Sequence, residues 1–392
     1  MPPEAHREIG SEFAWDPAAL LGAEQGGGLP SWLPAGHRLF ATGCGALTAL
    51  LRSLQPQSRL HVPSYFCVGV AEALSADVTI AWYRHLPDSA GPSFETLRAE
   101  PGDMVLAQNL FGREDRGPWD TWRSAHPGVT VIEDHSHDPF SGWAQSSTAA
   151  YAVASLRKTL PVPDGGLMWS PAGLDLPRPD GPESPGAHLK LTAMLLKSAW
   201  LDGRPIAKDD FRTLYAHGEH TLLGSTAPAS TLTTAMLPLL DVEGLRAAGR
   251  YNAQALAAAL PPSTPGWRAL TGGPVDAAPF RIQLVCPSPP VRDSLLRHLA
   301  SHGIYAPVHW RQNRAGVWSG DEQAADLADR MLTVPVDHRC RRDDIHRIAG
   351  ILTAFSAEPA LTVSAAEPAR TAFPVLDQAG LSLAARSSVA GS

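Results

Sequence analysis

The sequence predicts an α/β fold built on a mostly parallel sheet with helices on both faces. Short apolar runs recur through the first half of the chain, at 59–63, 78–83, 103–109, 129–132, 149–154 and 166–169. Stretches with helical spacing lie between several of them, and strand alternating with helix is the pattern of parallel βαβ units. Gly43-Cys44, Asp134 and Lys158 each follow an apolar run. Open α/β sheets collect ligands beyond the carboxyl ends of their strands, so one crevice is expected to gather all three.

The elements follow in order. Residues 1–33 are punctuated by Gly and Pro and read as an extended N-terminal segment. Leu39-Phe40-Ala41 leads into a glycine turn, Thr42-Gly43-Cys44-Gly45, which feeds a helix to Leu54 with leucines recurring on one face. Helices are expected at 68–74 and 119–126, between the strands named above. The Leu-, Lys- and Ala-rich stretch 189–201 reads as a helix, as does most of 230–260, with a break near Pro238. A smaller domain follows, with strands at 280–285 and 331–336. Its helices are an amphipathic one at 291–302 closed by Gly303 and a final one at 343–355. The expected layout is the segment 1–33, a large domain 34–260, a small domain 261–357 and a flexible tail 358–392. Within the tail, Phe373-Pro374-Val375-Leu376 offers a local docking point, and no repeat period is present.

With 392 residues, 44% of them hydrophobic, the chain has material for a large core. Charged residues make up 18% and the formal net charge is −7, so no basic field points to a nucleic acid. Cys44, Cys67, Cys286 and Cys340 lack CxxC spacing and are too few for a disulfide scaffold, which fits a reducing compartment. No apolar stretch approaches the roughly 20 residues of a membrane span, and no signal-peptide pattern follows Met1. The expectation is a cytoplasmic protein with neither membrane nor nucleic acid as a partner.

Three clusters carry candidate chemistry. The turn at Gly43 and Cys44 exposes backbone N–H groups at a helix start, which favours an anion such as a phosphate. A ligand-free strand-to-helix turn is the plainer alternative, and the GK[ST] ending of a P-loop is absent. Glu133-Asp134-His135-Ser136-His137-Asp138 is dense in polar groups directly after an apolar run. A strand end with only structural hydrogen bonds is one explanation. A metal site is the least favoured, because His135 and His137 are only two apart and no third ligand cluster stands out. Lys158 lies beside Arg157 and ahead of Gly165-Gly166. Burial or neighbouring positive charge would lower its pKa and make it a nucleophile, whereas an exposed Arg-Lys pair would do nothing. A lysine for a Schiff base and a carboxylate such as Asp134 for a pyridine nitrogen are what a protein needs to hold pyridoxal phosphate. In the small domain Tyr305, His309 and Trp310 crowd a loop that suits either a substrate mouth or a packed seam.

From residue 10 to 355 this ordered set resembles the DegT/DnrJ/EryC1/StrS family of pyridoxal-phosphate enzymes, mostly sugar aminotransferases. Gly10-Ser11-Glu12-Phe13 resembles the family's opening segment, and Thr42-Gly43-Cys44-Gly45-Ala46-Leu47 its Ser-Gly-Thr-x-Ala-Leu phosphate turn. Val62-Pro63-Ser64-Tyr65-Phe66 resembles the segment that brings an aromatic over the cofactor ring, a role falling to Phe66 or Tyr65. Val131-Ile132-Glu133-Asp134-His135-Ser136-His137 resembles Val-Ile-Glu-Asp-Ala-Ala-Gln/His, and Asp164-Gly165-Gly166 the Gly-Glu-Gly-Gly ending after the lysine. Val334-Pro335-Val336-Asp337-His338-Arg339 resembles the late Leu-Pro-x-x-x-Arg segment. Two departures stand out. The phosphate-holding serine five before the lysine is Val153 here, leaving Ser155 as the nearest hydroxyl. The Asn-x-Arg-Met loop that reaches the neighbouring subunit's phosphate is replaced by Ala229-Ser230-Thr231-Leu232.

The resemblance implies a pyridoxal-phosphate transferase of fold type I, with a mostly parallel seven-stranded sheet and a smaller C-terminal α/β domain. It implies a homodimer with active sites near its seam. Lys158 is then the covalent lysine, Asp134 the partner of the pyridine nitrogen, and His137 a neighbour of the ring's phenolate side. Gly43, Cys44 and Ser155 fall near the phosphate. The implied reaction is transamination from Glu or Gln to a small polar or sugar-like carbonyl acceptor, in specialised or polysaccharide metabolism. His309, Trp310 and Arg339 are the candidates for the substrate mouth. Lyase or dehydratase chemistry on the same cofactor, or a non-catalytic role in binding a ligand or partner, are the alternatives left open.

Overall fold

The computed structural model describes residues 7–20, 32–54 and 58–355. The expected tail, with its Phe373–Leu376 docking point, and most of the leading segment lie outside the described residues. The first strands and helices are β1 (Ile9–Gly10), β2 (Arg38–Phe40), α1 (Gly43–Leu54), β3 (Arg59–Pro63), α2 (Val68–Leu74), β4 (Thr79–Tyr83) and β5 (Met104–Gln108). Then come α3 (Gly117–Ala125), β6 (Thr130–Asp134), α4 (Gly142–Gln145), β7 (Tyr151–Ser155) and β8 (Gly166–Trp169). Four helices follow: α5 (Pro185–Leu201), α6 (Lys208–Leu222), α7 (Thr231–Met236) and α8 (Val242–Ala259). The last part holds β9 (Arg268–Leu270), β10 (Arg281–Val285), α9 (Pro289–Ser301), β11 (Ile304–Tyr305), α10 (Glu322–Arg330), β12 (Met331–Pro335) and α11 (Arg342–Ala354).

Seven strands form one sheet in the order β2-β8-β7-β6-β5-β3-β4. Pairs among β3, β4, β5, β6 and β7 are parallel, and only β8 runs against its neighbours β7 and β2. This is the expected mostly parallel sheet. β5 and β7 are buried at every residue, as strands covered on both faces must be. Side chains alternate between the faces. Leu106 and Ile132 join Leu47, Leu50 and Leu60 under α1 and α2, whereas Val105 and Val131 join Trp119 and Trp122 under α3. Each such Leu or Trp stabilises the fold by roughly 1.5–3 kcal/mol or more on leaving water.

The antiparallel sheet β12-β10-β9 anchors the smaller unit. Leu256, Leu284, Leu295, Val334, Ile348 and Leu352 fill its core, together with Trp267. Ile9 joins the same core, because β1 pairs in parallel with β11. The break at Pro238 is a 3-10 turn, Leu237–Leu239, between α7 and α8. Two helices gave no clear signal in the sequence. The buried face of α10 is mainly alanine (Ala324, Ala325 and Ala328 around Leu327), and α6 opens on Lys208-Asp209-Asp210. Among the described residues no helix is long and apolar enough to cross a membrane.

Candidate active site

Parallel pairing brings the carboxyl ends of β5, β6 and β7 to one edge, and polar residues stand where the strands stop. Asp134 is the last residue of β6 and is largely buried. Its Oδ2 accepts from Gln108 Nε2 at 3.0 Å, and its Oδ1 from the Ser136 amide at 2.9 Å. These two donors fix the side chain in place. Ser136 Oγ in turn accepts from the amide of Ser155, the last residue of β7, at 3.0 Å.

Lys158 ends the tight turn that follows β7, and its Nζ lies 3.4 Å from His137 Nε2. His137 Nδ1 accepts from the Phe111 amide at 2.9 Å. A neutral imidazole using Nδ1 as acceptor carries its proton on Nε2. That proton points at the lysine, so the contact is satisfied when Lys158 offers a lone pair. The electrostatics agree. Burial pushes the lysine's pKa down, with Asp134 and Cys67 offsetting part of the effect. Burial holds His137 well below the usual histidine range, and the charges of Lys158, His309 and Arg281 push the same way. Among the described residues no carboxylate lies within ion-pair distance of Lys158.

An aromatic wall closes the lysine's other side. The rings of Phe111, His137 and Trp310 are nearly parallel, with centroids 5.3, 5.6 and 6.0 Å apart. Lys158 Nζ sits 5.7 Å from the Trp310 ring. Phe111 is held at φ 55°, a left-handed conformation that costs a non-glycine residue roughly 1–2 kcal/mol. Tyr65 belongs to this group, 5.9 Å from Trp310, with its hydroxyl donating to the His309 carbonyl. Phe66 instead packs in the large core beside Leu47 and Leu50, so of the two expected candidates only Tyr65 reaches the wall. His309 is buried and shares a 3.1 Å hydrogen bond between Nδ1 and Thr333 Oγ1. Burial, then Arg281 and Lys158, hold it well below the usual histidine range.

Arg339 corrects an expectation. Its Nε and Nη2 bind Asp337 at 2.8 Å each, its remaining N–H groups reach the carbonyls of Gly10, Ser11 and Glu12, and it stacks on Phe13. Every donor is engaged, by Asp337 or by the carbonyls of the N-terminal segment, leaving none for a substrate mouth.

Gly43 begins α1, so its amide and that of Cys44 have no acceptor within the helix. Gly45 is compelled by space, since a Cβ there would meet the Ser225 carbonyl at 1.8 Å. Beside this turn stands Ser155: a Cβ on Gly43 would come 3.2 Å from that of the serine. Ser155 Oγ is buried without a hydrogen-bond partner among the described residues. Burial, followed by the neighbouring Cys67, pushes the Cys44 thiol up to about 12, so it stays neutral. Val153 lies in the core and offers no hydroxyl.

His135 and His137 serve different surroundings. His135 Nε2 bonds Glu133 at 2.9 Å and packs edge-on against Trp143, while His137 turns to Lys158. Among the described residues no group of three or more His, Cys, Asp or Glu side chains could hold a metal. The sequence alone does not single out Gln108, Phe111 or Arg281. Gln108 shared the signal that exposed Asp134, a polar residue ending an apolar run. Open clefts of about 380 and 170 Å³ lie beside the Leu110–Gly112 turn, lined in common by Glu114, Asp115 and Pro274. Lys158 lines neither.

No protein-family profile matches this chain, and no curated protein does. Solved structures do. The aminotransferase TlmJ from Streptoalloteichus hindustanus is 19% identical over 81% of this chain and 85% of its own, with a TM-score of 0.57. DesV from S. venezuelae is 18% identical over 81% of this chain and 83% of its own, with a TM-score of 0.58. A DegT DnrJ EryC1 StrS aminotransferase from Brucella abortus is 19% identical over 86% and 87%, with a TM-score of 0.55. Identities this low speak for architecture. With its seven-stranded sheet and smaller antiparallel unit, the chain has the fold-type-I architecture of the pyridoxal-phosphate transferases, shared with these structures.

Proposed function

We propose that this chain is a divergent DegT/DnrJ/EryC1/StrS enzyme that uses pyridoxal phosphate, with Lys158 as its covalent lysine, and acts as an aminotransferase. The observation that carries the reading is Lys158 itself. It is a half-buried amine with no carboxylate at ion-pair distance among the described residues, facing a neutral His137 and set beside Asp134 at the strand ends. The residues present fit the cofactor. The buried, unpartnered Ser155 hydroxyl and the first-turn amides of Gly43 and Cys44 form a phosphate cradle. Ser155 then takes over from the serine that Val153 replaces. Asp134, fixed by Gln108 and Ser136, serves the pyridine nitrogen, and Tyr65, His137 and Trp310 supply flat apolar surface for the ring.

When bound, pyridoxal phosphate supplies an electrophilic carbonyl carbon and a ring that withdraws electrons. The chain supplies the rest. Lys158 Nζ, whose pKa burial lowers, would form the covalent link and, when freed, would accept and return a proton at the reacting carbon. The aromatic wall keeps water from that nitrogen. Glu or Gln serves as amino donor and a small polar or sugar-like carbonyl as acceptor, in a cytoplasmic homodimer. Borohydride reduction of the loaded protein and peptide mass mapping test the assignment. The label is expected on Lys158, and Lys158→Ala is expected to lose the visible absorbance while remaining folded. A label on Lys190, Lys197 or Lys208 would defeat it. Loaded protein that no amino donor converts to the pyridoxamine form would favour lyase or dehydratase chemistry instead.

A further inference from the structure

Lys158 is presented by a short turn, Leu156–Lys158, whose other two residues are both tied down. Leu156 is fully buried, and its amide donates to the Gly165 carbonyl at 3.0 Å. Arg157 reaches α6. Its Nη1 and Nη2 donate to Glu219 Oε2 and Oε1, each at 2.6 Å, a two-point pairing that fixes the plane of the guanidinium.

Glu219 is held in turn. Lys190 on α5 donates to its Oε2 at 2.9 Å and lies 3.7 Å from Glu12 Oε2 in the N-terminal segment. Two glycines make this possible. A Cβ on Gly218 would meet Lys190 Cγ at 2.5 Å, and one on Gly186 would meet the Gly218 carbonyl at 2.7 Å. The two helices therefore approach closely, and the lysine stem lies against the bare backbone of Gly218 to reach the carboxylate. The turn after β7 is thus anchored to a close-packed helix pair, through the residue next to Lys158. A bridge that served the fold alone could stand anywhere along β7.

The pair also sets the charge around the amine. Burial disfavours both ions, yet Arg157 and Lys190 hold Glu219 well below the usual carboxylate range, and Glu219 raises the pKa of Arg157. Besides this pair, Asp134, Cys67, His137 and His309 face Lys158. Burial is the largest influence on the lysine and lowers its pKa; Asp134 and Cys67 offset part of that. Arg157 then lowers it and Glu219 raises it. The two act on the amine with opposite sign, so an Arg157 without its partner would be an unopposed cation beside the lysine.

We propose that Glu219 is a positioning residue: by gripping Arg157 it holds the turn that presents Lys158 and balances the arginine's charge beside the amine. This rests on the proposed role of Lys158 and extends it to a side chain that touches no reacting atom.

The test titrates Lys158 in the cofactor-free protein, by competitive acetylation with acetic anhydride across a pH series and peptide mass mapping. Glu219→Gln is expected to move the Lys158 midpoint down by about 0.5–1 pH unit. Arg157→Gln leaves Glu219 matched to Lys190 and is expected to move it up by about as much. The double variant Arg157→Gln/Glu219→Gln is expected between the two. Midpoints that stay at the wild-type value, or that move the same way in both single variants, overturn the proposal. A lower thermal midpoint with the Lys158 titration unmoved would make the pair a structural bridge and overturn it too. Loaded protein gives a second readout. Glu219→Gln is expected to lower kcat about tenfold or more, with KM for the amino donor changed by less than about twofold. A raised KM at unchanged kcat would place Glu219 in substrate binding instead and overturn the proposal. If Glu219→Gln does not fold, the double variant must titrate below Arg157→Gln for the proposal to stand. A wild type that takes up no cofactor defeats the functional reading, whereas the acetylation profile, read without cofactor, still decides the role of Glu219.

Discussion

Lys197 is buried and Lys158 half-buried, and burial lowers the pKa of both, yet they do opposite things. Lys197, on α5, is 3.3 Å from Glu8 Oε1 and also touches Ser11 Oγ and the Glu12 carbonyl. Burial lowers it to about 8, with Glu8 pulling back. Among the described residues Lys158 meets no carboxylate within ion-pair distance; it meets a neutral imidazole and the face of an indole. A charge matched by its neighbours holds two segments together, as Lys197 holds α5 to the N-terminal segment. An amine whose neighbours favour the neutral form is ready to attack carbon. Burial alone does not tell these cases apart; the partners do.

The sharpest way to break the comparison is to strip Lys197 of its carboxylate. Glu8→Gln leaves a buried cation unmatched and is expected to cost about 3–5 kcal/mol in chemical denaturation, with the Lys158 label unaffected. The pH dependence gives a second check. Folded Lys197 titrates near 8 and the unfolded side chain near 10.5, so the unfolded chain binds more protons between those values. Its contribution therefore makes the protein more stable as pH rises through that window. In Glu8→Gln the rise is expected to begin at lower pH. A variant as stable as wild type would show that the pair is not what holds α5.

Asp134→Ala sharpens the other side. Asp134 opposes the burial that lowers Lys158, so its loss is expected to lower the lysine's pKa further. Turnover is expected to fall by about 10²- to 10³-fold, with the denaturation midpoint little changed. Unchanged turnover would remove Asp134 from the chemistry. The smallest effect belongs to Ser155→Ala. Deleting an unpartnered buried hydroxyl is expected to leave the cofactor-free protein equally stable while weakening cofactor binding about tenfold, as read by equilibrium dialysis. Equal affinity in the two proteins would leave the phosphate to the backbone turn alone.

What could be read from the sequence was whatever the chain settles locally. An apolar run ending in Glu133-Asp134 marked a strand and the place where it stops, and Gly43 to Gly45 marked a helix start. What escaped was settled by packing between distant segments. Arg281 reads as an ordinary strand arginine, and only the meeting of β10 with the Phe111 turn buries it. Arg339 looked like a ligand for a substrate, yet Asp337 two residues away takes it first. Tyr65 and Phe66 are adjacent aromatics, and only the fold decides which one faces Trp310. The alanine stripe of α10 is too weakly apolar to announce a helix, although it lies fully buried.

The pairing of β1 with β11 has a consequence for how the protein is made. Arg7 is bridged to Asp344, 337 positions further along, and Arg339 reaches back over 329 positions to the Gly10 carbonyl. During translation the segment around Ile9 emerges before the large sheet, but its strand partner and the arginine that grips it emerge after it. Until then Ile9 has no core to enter, and the Glu8 carboxylate waits beside Lys197 and Lys208 without the Tyr305 hydroxyl that completes the group. The large sheet can form as its strands appear, since its parallel pairs join strands close together in the chain. The seam cannot, so a nascent chain closes the aromatic wall around Phe111 and Trp310 only after the large sheet has its strands.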